Sequence, residues 1–203
     1  VMDFIKEEIA NGRQVFVIYP LIEESSKVDY ENLMKGYEEV KSFFPEPKYW
    51  ISMVHGKMDA KQKETNMQRF VKGETQIMVS TTVIEVGVNV PNATVMVIES
   101  AEKFGLSQLH QLRGRVGRGA EKSFCILLTG PKVSNDARER LKIMVATNDG
   151  FKIAEKDLEI RGPGDIEGTK QSGLLNFKLA NIVHDKAMLE VARNVAENLL
   201  ETD

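Results

Sequence analysis

The run Val15-Phe16-Val17-Ile18-Tyr19 consists of β-forming residues and ends at Pro20. A strand that is buried on both faces reads as a continuous apolar run, so this pattern favours a parallel sheet covered by helices. Residues 2–11, just before it, carry apolar side chains at helical spacing, and Gly12 is a candidate helix end. The segment therefore predicts a helix followed by a buried strand.

The same alternation of strand and helix continues outward from this segment. Further strands are predicted at residues 50–54, 77–79, 93–98 and 123–128. Helices are predicted at residues 28–44, 59–71 and 106–112. Alternation at this spacing predicts an α/β fold with a doubly wound parallel sheet, whose ligands bind at the carboxyl ends of the strands.

The pattern changes after Pro131, where no further strand is predicted. Residues 136–145 and 151–160 read as two helices around the turn Asn148-Asp149-Gly150. Residues 185–200 are amphipathic and are expected to form a packing helix. We therefore predict an α/β domain at residues 1–131, a helical hairpin with a loop at 132–175, and a C-terminal helical segment at 176–203.

Composition restricts the function classes. The chain has 203 residues, 42% hydrophobic residues and a net charge of −3. The overall charge does not indicate nucleic-acid binding, so any such contact must come from local clusters or from parts of a longer protein. No apolar run is long enough to cross a membrane, and the lone Cys125 reads as a buried thiol, so a cytoplasmic setting fits. The start at Val-Met-Asp suggests a fragment, although processing would also explain it.

The segment from Gln108 to Gly119 carries three arginines within six residues, interleaved with glycines. A guanidinium is a permanently charged planar donor that pairs with phosphate oxygens, and glycines let the backbone come close to a ligand. An arginine finger aimed at a γ-phosphate supplies about 10³- to 10⁵-fold in rate. The alternative interpretation is a solvated basic loop.

A second block begins where the third predicted strand runs into Ser80 and Thr81. Hydroxyl groups at the start of a helix are most often simple N-caps, but a helix N-terminus also binds anions such as a nucleic-acid phosphate. The local sequence leaves both interpretations open.

The pattern Gln111-x-x-Gly114-Arg115-x-Gly117-Arg118 resembles motif VI of the superfamily 2 helicases. The resemblance implies that the α/β domain is a RecA-like second motor domain. It also implies that Arg115 and Arg118 are catalytic arginine fingers, which reach ATP bound on a first motor domain. Gln111 would link the nucleotide to the interface between the domains.

Residues 79–91 resemble motif V of the same superfamily. In that motif the hydroxyls, here Ser80 and Thr81, contact the DNA backbone, and the Gly87 to Asn89 end approaches ATP. The family usually has Asp where this sequence has Asn89, which can form hydrogen bonds but carries no charge. A shorter resemblance, in the turn after the second strand, implies a DNA contact at Gly56. The neighbouring His55 reads as a capping or core histidine.

The block from Asn148 to Asp165, with Gln171-Ser172-Gly173 downstream, is similar to the translocation motif of the RecG family of branched-DNA helicases. The resemblance implies that Arg140, Arg161 and Gln171 couple a helical hairpin to a loop that moves duplex DNA. The alternative for Arg161 is a helix C-cap. The transcription-repair coupling factors are the nearest rival family.

These resemblances imply the C-terminal half of an ATP-dependent helicase that acts on forked or branched DNA in recombination and repair. Its partners would be that DNA and, in the same protein, an N-terminal wedge and a first motor domain. The sequence has no Gly-x-x-x-x-Gly-Lys-Ser/Thr loop and no acidic metal-binding motif, so ATP and Mg²⁺ would be held mainly elsewhere and no metal site is expected here. This chain alone is therefore expected not to hydrolyse ATP. The competing hypothesis is a non-catalytic RecA-like module that binds DNA or a partner.

Overall fold

The computed structural model describes residues 1–21, 26–81, 90–116, 122–161, 188 and 191–195, without the side chains of residues 26–29 and 161. Its centre is a five-stranded sheet in which every pairing is parallel, with the strand order β2-β3-β1-β4-β5. The strands are β1 (Gln14–Tyr19), β2 (Ile51–Val54), β3 (Ile77–Thr81), β4 (Ala93–Ile98) and β5 (Phe124–Leu127). The predicted parallel α/β fold is confirmed.

Helices occupy the connections between the strands. They are α1 (Met2–Ala10), α2 (Ser26–Phe43), α3 (Ala60–Val71), a 3₁₀ turn (Ala101–Lys103), α4 (Leu106–Arg113), α5 (Asn135–Ala146) and α6 (Gly150–Arg161). Residues 191–195 are also helical. The α-helices lie where apolar spacing predicts them, whereas the 3₁₀ turn was not predicted. The described residues after Pro131 contain no strand.

The core lies around the three central strands. All residues of β3 and β4, and all of β1 except its last, are buried. Helix α3 closes one side of this core, with Phe70 fully buried and its ring centroid 4.9 Å from that of Phe16. Strands buried on both faces explain the continuous apolar runs in the sequence.

Two local signals from the sequence have their expected structural role. Asp59 precedes α3, and its Oδ1 accepts a 2.7 Å hydrogen bond from the Gln62 amide, which satisfies one of the free donors of the first turn. Gly12 follows α1 with φ of +81°, a conformation that a side chain disfavours. These residues fix the ends of two helices that flank the sheet.

Three valines predicted to lie on apolar helix faces are exposed instead: Val71 of α3, Val145 of α5 and Val195 in the C-terminal helical segment, which is 52% exposed. Val71 is 39% exposed and Val145 is 80% exposed. Each lies next to the end of its helix, where the following chain turns away and no longer follows helical spacing. Periodicity therefore identified these helices correctly but extended their buried faces too far.

Gly36 in α2 lies unusually close to Tyr19 at the end of β1. A Cβ atom added to Gly36 would lie 2.2 Å from Cζ of the Tyr19 ring. A side chain at this position would therefore require the Tyr19 ring to move. The close contact between α2 and the end of β1 depends on Gly36 having no side chain.

The chain divides into two compact units, residues 1–146 and residues 147–203. Helix α5 belongs to the first unit and α6 to the second. None of the helices in the described ranges is long and apolar enough to cross a membrane. The functional division at residues 131 and 175 stays a prediction.

Candidate functional site

A cavity of about 210 Å³ lies at the carboxyl edge of the sheet, beyond the ends of β1, β2 and β3. It is lined by Leu21, Tyr30, Leu33, His55, Gly56, Lys57 and Thr81. The Lys57 ammonium lies 4.6 Å from the Tyr30 ring centroid, and the His55 ring meets the Tyr30 ring edge-on at 5.1 Å. The cavity thus combines an aromatic face with a cation, a pairing that suits an anionic or aromatic ligand.

His55 has a structural role in this cavity wall. Its Nδ1 accepts a 3.2 Å hydrogen bond from the backbone amide of Lys57, which fixes the turn after β2. Burial lowers the pKa of His55, and the positive charges of Lys57 and Lys63 lower it further. The lowered pKa favours the neutral ring, which accepts this hydrogen bond as a capping histidine would.

Two of the predicted DNA-contacting side chains are buried. Ser80 is 0% exposed and Thr81 is 3% exposed at the end of β3, and the Ser80 hydroxyl donates a hydrogen bond to the Thr81 carbonyl. Gly56, by contrast, is exposed, and a Cβ atom added there would meet nothing within 4 Å. Of these three residues Gly56 is the one with open space for a ligand next to its backbone.

An acidic cluster lies beside Tyr19, at the carboxyl end of β1. Burial raises the pKa of Glu99, which follows β4, and the neighbouring carboxylates of Glu39 and Glu102 raise it further. Burial also raises the pKa of Tyr19, with Glu99 and Glu39 adding to the effect. The sequence carried no signal for this arrangement, because Tyr19, Glu39 and the pair Glu99 and Glu102 come from three separate segments.

Helix α4 leads directly into the segment with the predicted arginine fingers. The backbone turns tightly after it: the Arg115 amide donates to the Leu112 carbonyl at 2.9 Å, and Gly114 donates to the His110 carbonyl at 3.1 Å. The Arg115 side chain is half-buried and has no hydrogen-bond or ion-pair partner among the described residues. Its guanidinium is therefore available to a ligand. Gln111, on the same helix, is exposed.

Sequence reasoning missed Arg113, the last residue of α4. Its Nη1 donates a 2.7 Å hydrogen bond to the Met144 carbonyl, and its Nη2 donates at 3.2 Å to Nδ1 of His110. The positive charge of Arg113 lowers the pKa of Cys125, but burial has the larger effect and raises that pKa to about 11. Arg113 thus joins α4 to α5 next to β5. The available signal was a third arginine in the motif, which the family pattern does not require.

The predicted coupling residue Arg140 lies on α5 and contacts the 3₁₀ turn. Its Nη2 donates a 3.0 Å hydrogen bond to the Glu102 carbonyl. Its Nε is buried and has no hydrogen-bond partner in the described part of the chain. The side chain therefore retains a donor that a further polar group would satisfy.

Several predicted site residues lie outside what the structure describes. Gly87, Asn89, Arg118 and Gln171 lie outside the described residues, and Arg161 is described only as the last backbone position of α6. Among the described residues, no three His, Cys, Asp or Glu side chains cluster in a way that would hold a metal ion. The roles of all these residues stay predictions.

Two family models match the chain. Residues 1–120 match the helicase conserved C-terminal domain, and residues 147–203 match the C-terminal part of domain 3 of the ATP-dependent DNA helicase RecG. The second match begins where the second compact unit begins.

Whole sequences and solved structures agree with these models. The chain is 53% identical to the ATP-dependent DNA helicase RecG of Bacillus subtilis over its whole length, covering 30% of that protein. It is also 53% identical to RecG of Synechocystis, over 99% of this chain and 24% of the relative. The chain thus spans less than a third of the relatives it matches.

A structure of RecG bound to a three-way DNA junction superposes with a TM-score of 0.69 at 43% identity, covering 93% of this chain and 24% of that one. Domain 2 of the DEAD-box helicase Mss116p, bound to an RNA duplex, shares the fold at a TM-score of 0.55 and 18% identity, over 78% of this chain and 62% of that one. The chain therefore belongs to the helicase conserved C-terminal domain family, and along its whole length it is similar to RecG helicases.

Proposed function

We propose that this chain is the second motor domain, with the coupling module, of an ATP-dependent helicase that acts on forked or branched DNA. The observation that carries the proposal is the similarity to RecG helicases along the entire chain, across both compact units. A non-catalytic module would have no need of the second unit and the arginine segment together.

The first unit would complete an ATP site formed with another motor domain. The half-buried Arg115 guanidinium has no partner in the described part of the chain, and such a fixed cation suits the charge that develops on a transferring phosphoryl group. Arg118 would be the second finger, with Gln111, Gly87 and Asn89 near the nucleotide. Mg²⁺ would be held by the other domain.

The cavity at the carboxyl edge of the sheet would contact the DNA backbone. Gly56 exposes its backbone there, and Lys57 supplies a positive charge at the same cavity wall. Ser80 and Thr81 are buried, so their part in DNA binding would need the neighbouring residues to move or their backbone groups to make the contact.

The predicted module at residues 132–175, which begins in the first unit and continues into the second, would convert movement of the motor into movement of DNA. Arg140, Arg161 and Gln171 would form the coupling set, and the buried Nε of Arg140 supplies a donor for such a contact. A wedge elsewhere in the protein would split the strands. A single cysteine, Cys125, cannot form an internal disulfide, which fits a cytoplasmic setting as part of the same proposal.

The test is strand separation by the full-length protein on three-way junctions and on linear duplexes of equal length. We expect unwinding of the junction that requires hydrolysable ATP, with little unwinding of the linear duplex. A non-hydrolysable ATP analogue is the control. Junction unwinding without hydrolysis, or its absence in an otherwise folded protein, would contradict the proposal.

A further inference from the structure

Arg113 joins the arginine-finger segment to α5 through both its backbone and its side chain. Its carbonyl accepts a hydrogen bond from the Val116 amide at 3.3 Å, so its main chain is part of the turn that carries Arg115. Its side chain reaches across to the Met144 carbonyl at 2.7 Å. If the turn moves, Arg113 therefore pulls on the Met144 carbonyl to which its side chain is bonded.

The Met144 carbonyl is a suitable point of attachment. Met144 lies two residues before the end of α5, and the last four carbonyls of a helix have no donor within the helix. A guanidinium at this position satisfies one of them with a charge-assisted bond and lies at the favourable end of the helix dipole. The second bond, from Nη2 to His110, holds the guanidinium in the orientation that makes this contact.

Helix α5 is attached to the rest of the first unit at a second place. Arg140 binds the Glu102 carbonyl in the 3₁₀ turn, about one helical turn before Met144. The Glu102 carboxylate in turn accepts a 3.3 Å hydrogen bond from the Gly130 amide, next to the end of β5. One attachment thus joins α5 to the sheet, and the other joins its last turn to the finger segment.

We propose that Arg113 is a positioning residue, which passes movement of the arginine-finger segment to the last turn of α5 and so to the second unit. That unit begins at Thr147, directly after α5 ends at Ala146. Arg113 does not touch the reacting phosphates in this role. The inference rests on the proposed motor function and adds the residue by which the hydrolysis site and the coupling module communicate.

The test replaces Arg113 by Ala and by Lys in the full-length protein, and measures ATP turnover and base pairs unwound in the same reactions. We expect Arg113→Ala to keep DNA-stimulated hydrolysis, whereas the number of base pairs unwound per ATP falls by about tenfold, within the range of allosteric coupling energies. Arg113→Lys should recover part of the ratio, because a lysine can still donate to the Met144 carbonyl. Arg138→Ala is the matched control, since Arg138 is an exposed arginine on α5.

A purely structural role would lower hydrolysis and unwinding in proportion to the loss of folded protein, and would leave their ratio unchanged. That result, or an unchanged ratio in a folded variant, would overturn the inference. If Arg113→Ala does not fold, insertion of two glycines after Ala146 is the second test, because it breaks the connection while Arg113 remains. We expect the same fall in the ratio, and an unchanged ratio would overturn the inference. Failure of the unmutated protein to hydrolyse ATP would instead contradict the proposed function itself.

Discussion

The Arg140 guanidinium donates a 3.0 Å hydrogen bond from Nη2 to the backbone carbonyl of Glu102, and its buried Nε has no partner in the described part of the chain. A buried donor without a partner is costly, so it calls for an explanation such as a bound water or ion, or a functional role. Arg140 therefore has one fixed contact, to the 3₁₀ turn, and one donor that remains available.

We expect Arg140→Ala to reduce unwinding more than hydrolysis, because it removes both the attachment of α5 and the available donor. The lost hydrogen bond should also lower the free energy of unfolding by about 1 kcal/mol. Urea unfolding and paired hydrolysis and unwinding assays measure the two effects. Lys142→Ala is the control on the same helix, since Lys142 is exposed and its ion pair is with the exposed Glu139. Equal losses of hydrolysis and unwinding would argue against a coupling role.

Arg161, the last residue of α6, is expected to act in the same coupling set. Arg161→Ala in the full-length protein should leave ATP hydrolysis within about twofold while unwinding falls by about tenfold, because coupling energies of this size are typical of switching elements. If Arg161 is instead a simple helix cap, the change would lower stability by at most about 1 kcal/mol and leave the ratio of unwinding to hydrolysis intact. Measurement of both rates on one junction substrate separates the two roles.

The cluster around Glu99 makes a pH-dependent prediction. The pKa of Glu99 is raised in the folded protein by burial and by Glu39 and Glu102, so the unfolded chain ionises first as the pH rises. At acid pH Glu99 is protonated in both states and does not affect stability. Above its pKa in the unfolded chain, ionisation favours the unfolded state and lowers the free energy of unfolding. The loss is complete once the pH also exceeds the pKa of Glu99 in the folded protein.

Glu99→Gln should consequently raise the unfolding midpoint at pH 7 and have little effect near pH 4. It should also lower the pKa of Tyr19, which the Glu99 carboxylate raises. Unfolding midpoints measured across this pH range are the readout, and the exposed Glu64→Gln is the control. A stabilisation of equal size at both pH values would contradict the electrostatic explanation.

The close approach of Gly36 and Tyr19 makes a prediction about packing. Gly36→Ala should lower the free energy of unfolding by roughly 1 to 3 kcal/mol through overpacking, although alanine gains about 1 kcal/mol in helix propensity. Tyr19→Val in the same chain should relieve the clash, so the two changes together should cost less than the sum of each alone. Urea unfolding of the four proteins in this cycle measures the coupling, and additive effects would count against the contact.

The sequence was sufficient to predict the sheet because its three central strands, β3, β1 and β4, are buried on both faces and read as mostly apolar runs. β4 (Ala93–Ile98) is buried at every position, and its bounds match the prediction. The strand order was not predictable in the same way. The strand order depends on which face of the sheet each helix covers. The apolar spacing within a single segment does not predict that.

Local chemistry was predictable where it involves neighbours in sequence, as in the Asp59 cap. Contacts between distant segments were not: Arg113 reaches Met144 across 31 positions and Arg140 reaches Glu102 across 38. The motif identified the arginine-rich segment, but the structure distinguishes Arg113, which binds a helix end, from Arg115, which has no partner in the described part of the chain. The burial of Ser80 and Thr81 also depends on the fold and not on the local sequence.

The most direct test of the account is ATP hydrolysis by the full-length protein with Arg118→Ala or Arg115→Ala, measured with saturating junction DNA beside the Arg138→Ala control. If these arginines stabilise the charge on the γ-phosphate, hydrolysis should fall by about 10³-fold or more while the affinity for the junction stays within a few fold. Turnover near that of the unmutated protein in either folded variant would contradict the claim that this chain completes an ATP site.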